Sequence, residues 1–245
     1  VDGHGTNGYG PLTPNSRKRN GFSILHSGGV VLGLLVLFAL FTFNIWKNPP
    51  GYYVDESAIS YNAYLVAETG AGESGVKFPL FFPVYTGPYV QYANPTHIYL
   101  LAAVFKIFGP GIITAKLLAA VCVFAACILM GLLARSISDD KWIGIIVGLA
   151  ALATPWLFEV GRVVLETYFF PMAIVLLLWS VYRASLKDRW SLLDRAAIVV
   201  SLMLATYSYT IGRLLGPLLA GGLLLFITSR KRLYSVLSVW AGYAL

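Results

Sequence analysis

Charge is scarce in this sequence. Only 12% of its 245 residues are Asp, Glu, Lys or Arg, about half the share of a soluble domain, while 58% are apolar. That balance excludes an ordinary water-soluble globule. The long apolar runs do not alternate, which excludes a transmembrane β-barrel and leaves membrane helices. Cysteine is nearly absent too. Cys122 and Cys127 share one apolar run at a spacing of five, on different helix faces, so neither a disulfide nor a metal pair follows. No P-loop, Rossmann glycine pattern, HExxH or CxxC occurs, so no nucleotide fold or zinc site can be read. The net charge of +7 comes from 18 basic against 11 acidic residues. In a membrane protein that excess marks cytoplasmic loops, and nucleic acid is not the expected partner.

What is present is a set of apolar segments with polar stretches between them. Residues 1–21 are rich in Gly, Asn and Pro, end near Arg17-Lys18-Arg19, and read as a disordered cytoplasmic tail. Residues 22–46 are long enough to span and lack a following cleavage site, so they read as an uncleaved anchor. A first extracytoplasmic loop is expected over 47–111. Within it an interfacial helix is expected over 55–69, ended by Gly70 and Gly72, then an ordered proline-punctuated loop over 77–94 and a short apolar segment over 96–108. Spans are expected at 112–134, 142–158, 167–182, 196–209 and 214–228. The final apolar stretch, 233–245, is too short to cross, and the chain reads as the N-terminal part of a longer protein.

Counting basic residues sets the topology. If 96–108 lies at the surface, twelve of the 18 Lys and Arg fall inside; if it crosses, seven do. The positive-inside rule favours the first arrangement. It places three polar constellations on one outer face.

The first is Asn48-Pro-Pro-Gly-Tyr-Tyr-Val-Asp55-Glu56-Ser57. An acid at a partly dry interface can act as a general base on an acceptor hydroxyl, and Asp55 can equally cap the helix that follows. The second is Glu159-Val-Gly-Arg162-Val-Val-Leu-Glu166, where Arg162 either pairs with Glu166 at helical spacing or binds a phosphate oxygen. The third is Tyr207-Ser-Tyr209-Thr-Ile-Gly-Arg213-Leu-Leu-Gly-Pro217. Its arginine needs water or an anion between two apolar runs, and its tyrosines suit either a site or an interfacial belt. Lys77 and His97 lie in the first loop. His97 either touches phosphate, helps hold a metal or has a structural role, and a lone histidine favours the last.

Together with Asn94-Pro-Thr-His-Ile-Tyr-Leu-Leu…Phe108-Gly109 and Pro155-Trp156, these motifs in this order resemble the GT-C membrane glycosyltransferases. The closest likeness is to the protein O-mannosyltransferase and aminoarabinose-transferase-like group, of glycosyltransferase family 39 style. The resemblance covers most of residues 22–245 and implies an all-α, multi-span helical bundle in the plasma membrane. It implies transfer of a sugar from a polyprenyl-phosphate carrier, within the membrane lipid, to an acceptor on the extracytoplasmic face; the acceptor is a protein, lipid or glycan. By similarity Asp55 is the base or orients the acceptor, and Glu166 is a second acid; Glu56 reads as a catalytic helper or a helix-start acid. Arg162 and Arg213 sit near the carrier phosphate, and Lys77, His97, Tyr207 and Tyr209 line the substrate site. Some relatives hold a divalent metal on such acids, but Asp55 and Glu56 are too few ligands to assign one here. The chain departs from the pattern at Asn94-Pro95, where relatives often carry Pro-Pro or Lys-Pro. The rival readings are a transporter or flippase for a lipid-linked or anionic substrate, and a non-catalytic membrane scaffold.

Overall fold

The structure is a computed structural model that describes residues 28–84 and 90–244. The tail over 1–21, the first residues of the anchor and the stretch 85–89 lie outside the described residues. The chain divides into two compact units, residues 1–37 and residues 38–245. In the first, the described residues are apolar helix, the greater part of α1 (Gly28–Phe41).

In the second unit the elements follow from their ends. Helix α2 (Val54–Thr69) starts where the Glu56 carboxylate accepts the backbone N–H of Tyr53 (2.8 Å), the third-position half of a capping box. It stops at Gly70, whose φ of +73° is the left-handed conformation that glycine takes at least cost. A two-stranded antiparallel hairpin follows: β1 (Phe82–Val84) and β2 (Gln91–Ala93), with Phe82 opposite Ala93 and Val84 opposite Gln91. This corrects the all-helical expectation. Three-residue strands carry too little alternation to be read from sequence, and Pro83 argued against a strand.

Asn94 and Pro95 then open α3 (Pro95–Phe108), Pro95 occupying a first-turn position where a missing N–H costs nothing. At 14 residues α3 is roughly 21 Å long, short of a bilayer core of about 30 Å. Next come α4 (Ile112–Ser138) and α5 (Lys141–Ala153), the latter capped by Asp140, which accepts from the Trp142 N–H at 2.7 Å. The span expected over 142–158 is not one helix. Pro155 cannot continue α5, and α6 (Pro155–Val160) begins there.

A short 3-10 turn (Glu166–Tyr168) leads into α7 (Phe170–Ser185). Helix α8 (Leu192–Ser208) starts four residues before its expected position, because Ser191 and Asp194 form a complete capping box. Helix α9 (Gly212–Gly222) carries Pro217 inside it and tightens into a 3-10 turn (Leu223–Phe226), and α10 (Arg230–Ala244) closes the chain.

Among the described residues, two helical runs suffice by length and apolar composition to cross a membrane, Ile112–Ser138 and Glu166–Ser185. Helix α4 packs along α5 and α7, α2 against α3, and α8 against α7, α9 and α10. Two cores result. One joins the start of residues 38–245 to α2, α3, α4 and the hairpin around Phe82, Ile98 and Leu101. The other joins α7 to α10 around Trp190, Ile198 and Leu202.

Candidate active site

Four loop regions meet around a cavity of about 260 Å³. Its walls include Asp55 and Ile59 of α2, Val84 and Gln91–Ala93 of the hairpin, Leu165–Thr167, and Tyr209 and Thr210 at the end of α8. Stretches far apart in sequence are thereby gathered at one end of the helices.

The two acids of the first constellation have different fates. Glu56 is 2% exposed, and both its oxygens are spent on backbone: one on Tyr53 N–H, the other on Val164 N–H at 2.7 Å. It ties the start of α2 to the turn after α6. Asp55, one residue earlier, has a half-buried carboxylate that lines the cavity and accepts no hydrogen bond from any described residue. The capping role weighed for Asp55 therefore belongs to Glu56, which is not poised for proton transfer.

Glu166 is held firmly. It accepts from Asn94 twice, through the backbone N–H (2.8 Å) and Nδ2 (2.5 Å), and from Thr210 Oγ1 at 3.3 Å. Asn94 also reaches the other way. Its Oδ1 accepts from Arg213 Nε (3.0 Å) and Nη2 (2.8 Å), while Nη2 also approaches the Tyr92 carbonyl at 3.4 Å. The Arg213 guanidinium stacks on the Phe81 ring at 4.3 Å, and Nη1 donates to no described group. One buried asparagine thus links an acid and an arginine that lie 72 and 119 residues from it. Its fixed geometry presents the free edge of a planar cation, the shape that matches a phosphate.

Arg162 is not placed there. It is 3% exposed and donates to the carbonyls of Phe41 (3.0 Å), Phe43 (2.8 Å) and Asn48 (3.0 Å), with its guanidinium 4.3 Å above the Phe158 ring. Burial draws its pKa below the ordinary guanidinium value, against the opposing charge of Glu159. It caps the carbonyls that end α1 and fixes the following turn. Gly161 beside it leaves room for Phe41, whose ring would lie 2.8 Å from an added Cβ. The helical Arg162–Glu166 pair does not form, since the chain leaves the helix at Gly161 and each partner is committed elsewhere.

His97 is fully buried, and neither ring nitrogen has a partner. Burial pulls its imidazole down to about 3, so it is neutral and packed edge-on near Tyr168, with ring centroids 6.3 Å apart. Lys77 is exposed in a tight turn, bridged to Ala71, and does not line the cavity. Tyr209 lines it and meets Phe170 edge-on, whereas Tyr207 faces Phe81, the ring under Arg213, at 6.1 Å.

The donor set does not suit a dedicated divalent cation. Among the described residues no three His, Cys, Asp or Glu side chains come together. Glu56 is committed to backbone and Glu166 to Asn94 and Thr210, leaving Asp55 alone against a need for about six oxygens.

Asn94, Thr210, Tyr92 and Phe81 are the site residues that sequence reasoning passed over. Asn94 did signal itself, as a polar residue before proline where phosphate contact was sought. What was not visible is that it positions the arginine.

Searches of curated proteins and of solved structures give no significant match. Residues 92–245 match the family described as dolichyl-phosphate-mannose-protein mannosyltransferase. The match takes in Tyr92, Glu166 and Thr210 of the cavity wall and the Asn94 and Arg213 bonded behind them, and begins after Asp55. Spanning well over half of the sequence, it places this chain in the dolichyl-phosphate-mannose-protein mannosyltransferase family, membrane glycosyltransferases of the GT-C type.

Proposed function

We propose that the chain transfers a sugar from a polyprenyl-phosphate carrier to an acceptor hydroxyl on the extracytoplasmic face, with Asp55 as general base. Family membership supports the donor class. The observation that carries the rest is the contrast between the two lining carboxylates: Asp55 accepts no hydrogen bond from any described residue, while Glu166 is tied to Asn94 and through it to Arg213.

The chemistry is a direct displacement. The acceptor oxygen bonds to the anomeric carbon as the carbon–phosphate oxygen bond breaks, and Asp55 takes the hydroxyl proton. The configuration at the anomeric carbon inverts. The carrier phosphate leaves with the bonding electrons, and Arg213 stabilises the added charge through its free edge. Glu166 keeps Asn94 oriented, so the arginine needs no rearrangement as charge develops. A multi-pass arrangement with the loop cluster outside follows from the distribution of basic residues. The transporter reading places charges in the middle of spans; Arg162 instead lies in the turn after α6, held by the carbonyls of Phe41, Phe43 and Asn48, and Lys116 donates to the Pro49 carbonyl.

The test is transfer from a synthetic polyprenyl-phosphate sugar in membranes containing the whole chain. Asp55→Asn should abolish transfer, at least a hundredfold loss for a general base, with membrane insertion unchanged. Activity near that of the unaltered chain would remove Asp55 from the mechanism.

A further inference from the structure

A second cavity, of about 290 Å³, lies at the opposite end of α8 from the first. Arg189, Arg195, Lys231, Tyr234 and Ser235 line it, from the α7–α8 turn and the starts of α8 and α10. The first cavity takes Tyr209 and Thr210 from the other end of this 17-residue helix, roughly 25 Å away. We infer that this second cavity binds the phosphate headgroup of an anionic membrane lipid.

The charge balance argues for an anion. Three cations converge, and the lining holds no carboxylate. The neighbouring acid Asp194 is engaged by Lys187 at 2.6 Å and by the Ser191 cap. Arg232 is buried and spends its guanidinium on the carbonyls of Ser185, Lys187 and Phe226. Arg195 donates to Ser238 Oγ (3.0 Å) and to the Ser191 carbonyl (3.4 Å). The Arg189 and Lys231 head groups have no hydrogen bond or ion pair among the described residues. Cations held together without a counter-ion repel, and a phosphate between them removes that cost while using the planar arginine fork.

The surroundings argue for a lipid rather than a free ion. Leu192 and Leu193, at the start of α8, are 72% and 81% exposed, and Tyr234 is 71% exposed. They offer apolar surface for an acyl chain and an aromatic ring at headgroup depth. Basic pockets between membrane helices suit anionic headgroups for this reason. A general excess of positive charge on one side of a membrane explains the number of cations but not their convergence on one cavity.

The whole chain in neutral detergent, titrated with dioctanoyl phosphatidylglycerol, dioctanoyl phosphatidylcholine and inorganic phosphate, tests this. The phosphatidylglycerol should bind saturably and far more tightly than the other two. The double variant Arg189→Gln/Lys231→Gln should bind it about thirtyfold more weakly. Lys231→Gln alone, should the double variant fold poorly, should lose about fivefold. Arg183→Gln/Arg230→Gln removes as much charge nearby but outside the lining, and should keep the affinity. An equal loss in that variant, equal binding of phosphatidylcholine, or inorganic phosphate binding as tightly as phosphatidylglycerol would each overturn the inference.

Discussion

At the scale of single residues, burial sorts the acids and bases more sharply than residue type does. Asp55 and Glu56 are neighbours of like charge, yet the backbone N–H of Val164 fixes one in the interior and no described residue donates to the other. His97 shows the same selection. It is neutral because no partner accompanies it inside, with a folded pKa of about 3 against an ordinary value near 6.5. Between those values the unfolded chain binds the extra proton, so stability rises with pH through the window and is fully present only above about pH 6.5. Below it, His97 should cost up to about 1.4 kcal/mol per pH unit. Unfolding midpoints from pH 7.5 to 4.5 should therefore fall less steeply in His97→Leu than in the unaltered chain. Parallel curves would show that some other group carries the acid sensitivity. The residues legible in the sequence were those whose chemistry stands alone, Asp55 and Arg213. Asn94 was visible as a polar residue before proline, but its positioning role was not, because that depends on meeting Glu166, Thr210 and Arg213 from distant segments.

At the scale of elements, helix ends were read well where a local signal sets them and poorly where packing does. Gly70 closes α2 as expected, and Pro155 breaks a run that apolar composition alone made continuous. The close pairing of α4 and α5 depends instead on three small residues that carry no local signal in the sequence. Gly144 and Gly148, four apart on α5, face Gly131 on α4. A Cβ on Gly131 would stand 2.6 Å from the Gly144 carbonyl oxygen and 3.1 Å from the Gly148 Cα. Both obstacles are backbone, so α5 itself must move. Gly131→Ala should destabilise the chain by about 1–3 kcal/mol, the range for overpacking, despite alanine's better helix propensity. Gly221→Ala, with nothing within 4 Å of the added methyl, should be neutral or stabilising. Detergent unfolding of the two variants side by side measures the difference, and equal stability would mean that α4 and α5 are not held at glycine contact.

At the scale of the whole molecule, function depends on which end of the helices faces which side. Twelve of the 18 basic residues fall at one side only if α3 stays at the surface. Its 14 residues suit the proposed surface placement, and the hairpin feeding it carries Asn94 to Glu166. In the proposed topology helix α8 joins the two sides: the acid and arginine network lies at its C-terminal end, the lysine and arginine cavity at its start. Reversing the orientation would put the cations outside and deny an extracytoplasmic acceptor access to Asp55. Two exposed serines separate the cases, Ser57 beside Asp55 and Ser138 at the end of α4. The native Cys122 and Cys127 are buried and should contribute little background. In intact cells a membrane-impermeant maleimide should label Ser57→Cys but reach Ser138→Cys only after permeabilisation. If Ser138→Cys labels from outside and Ser57→Cys does not, the orientation is reversed, the basic residues lie against the membrane rule, and an extracytoplasmic acceptor cannot reach Asp55.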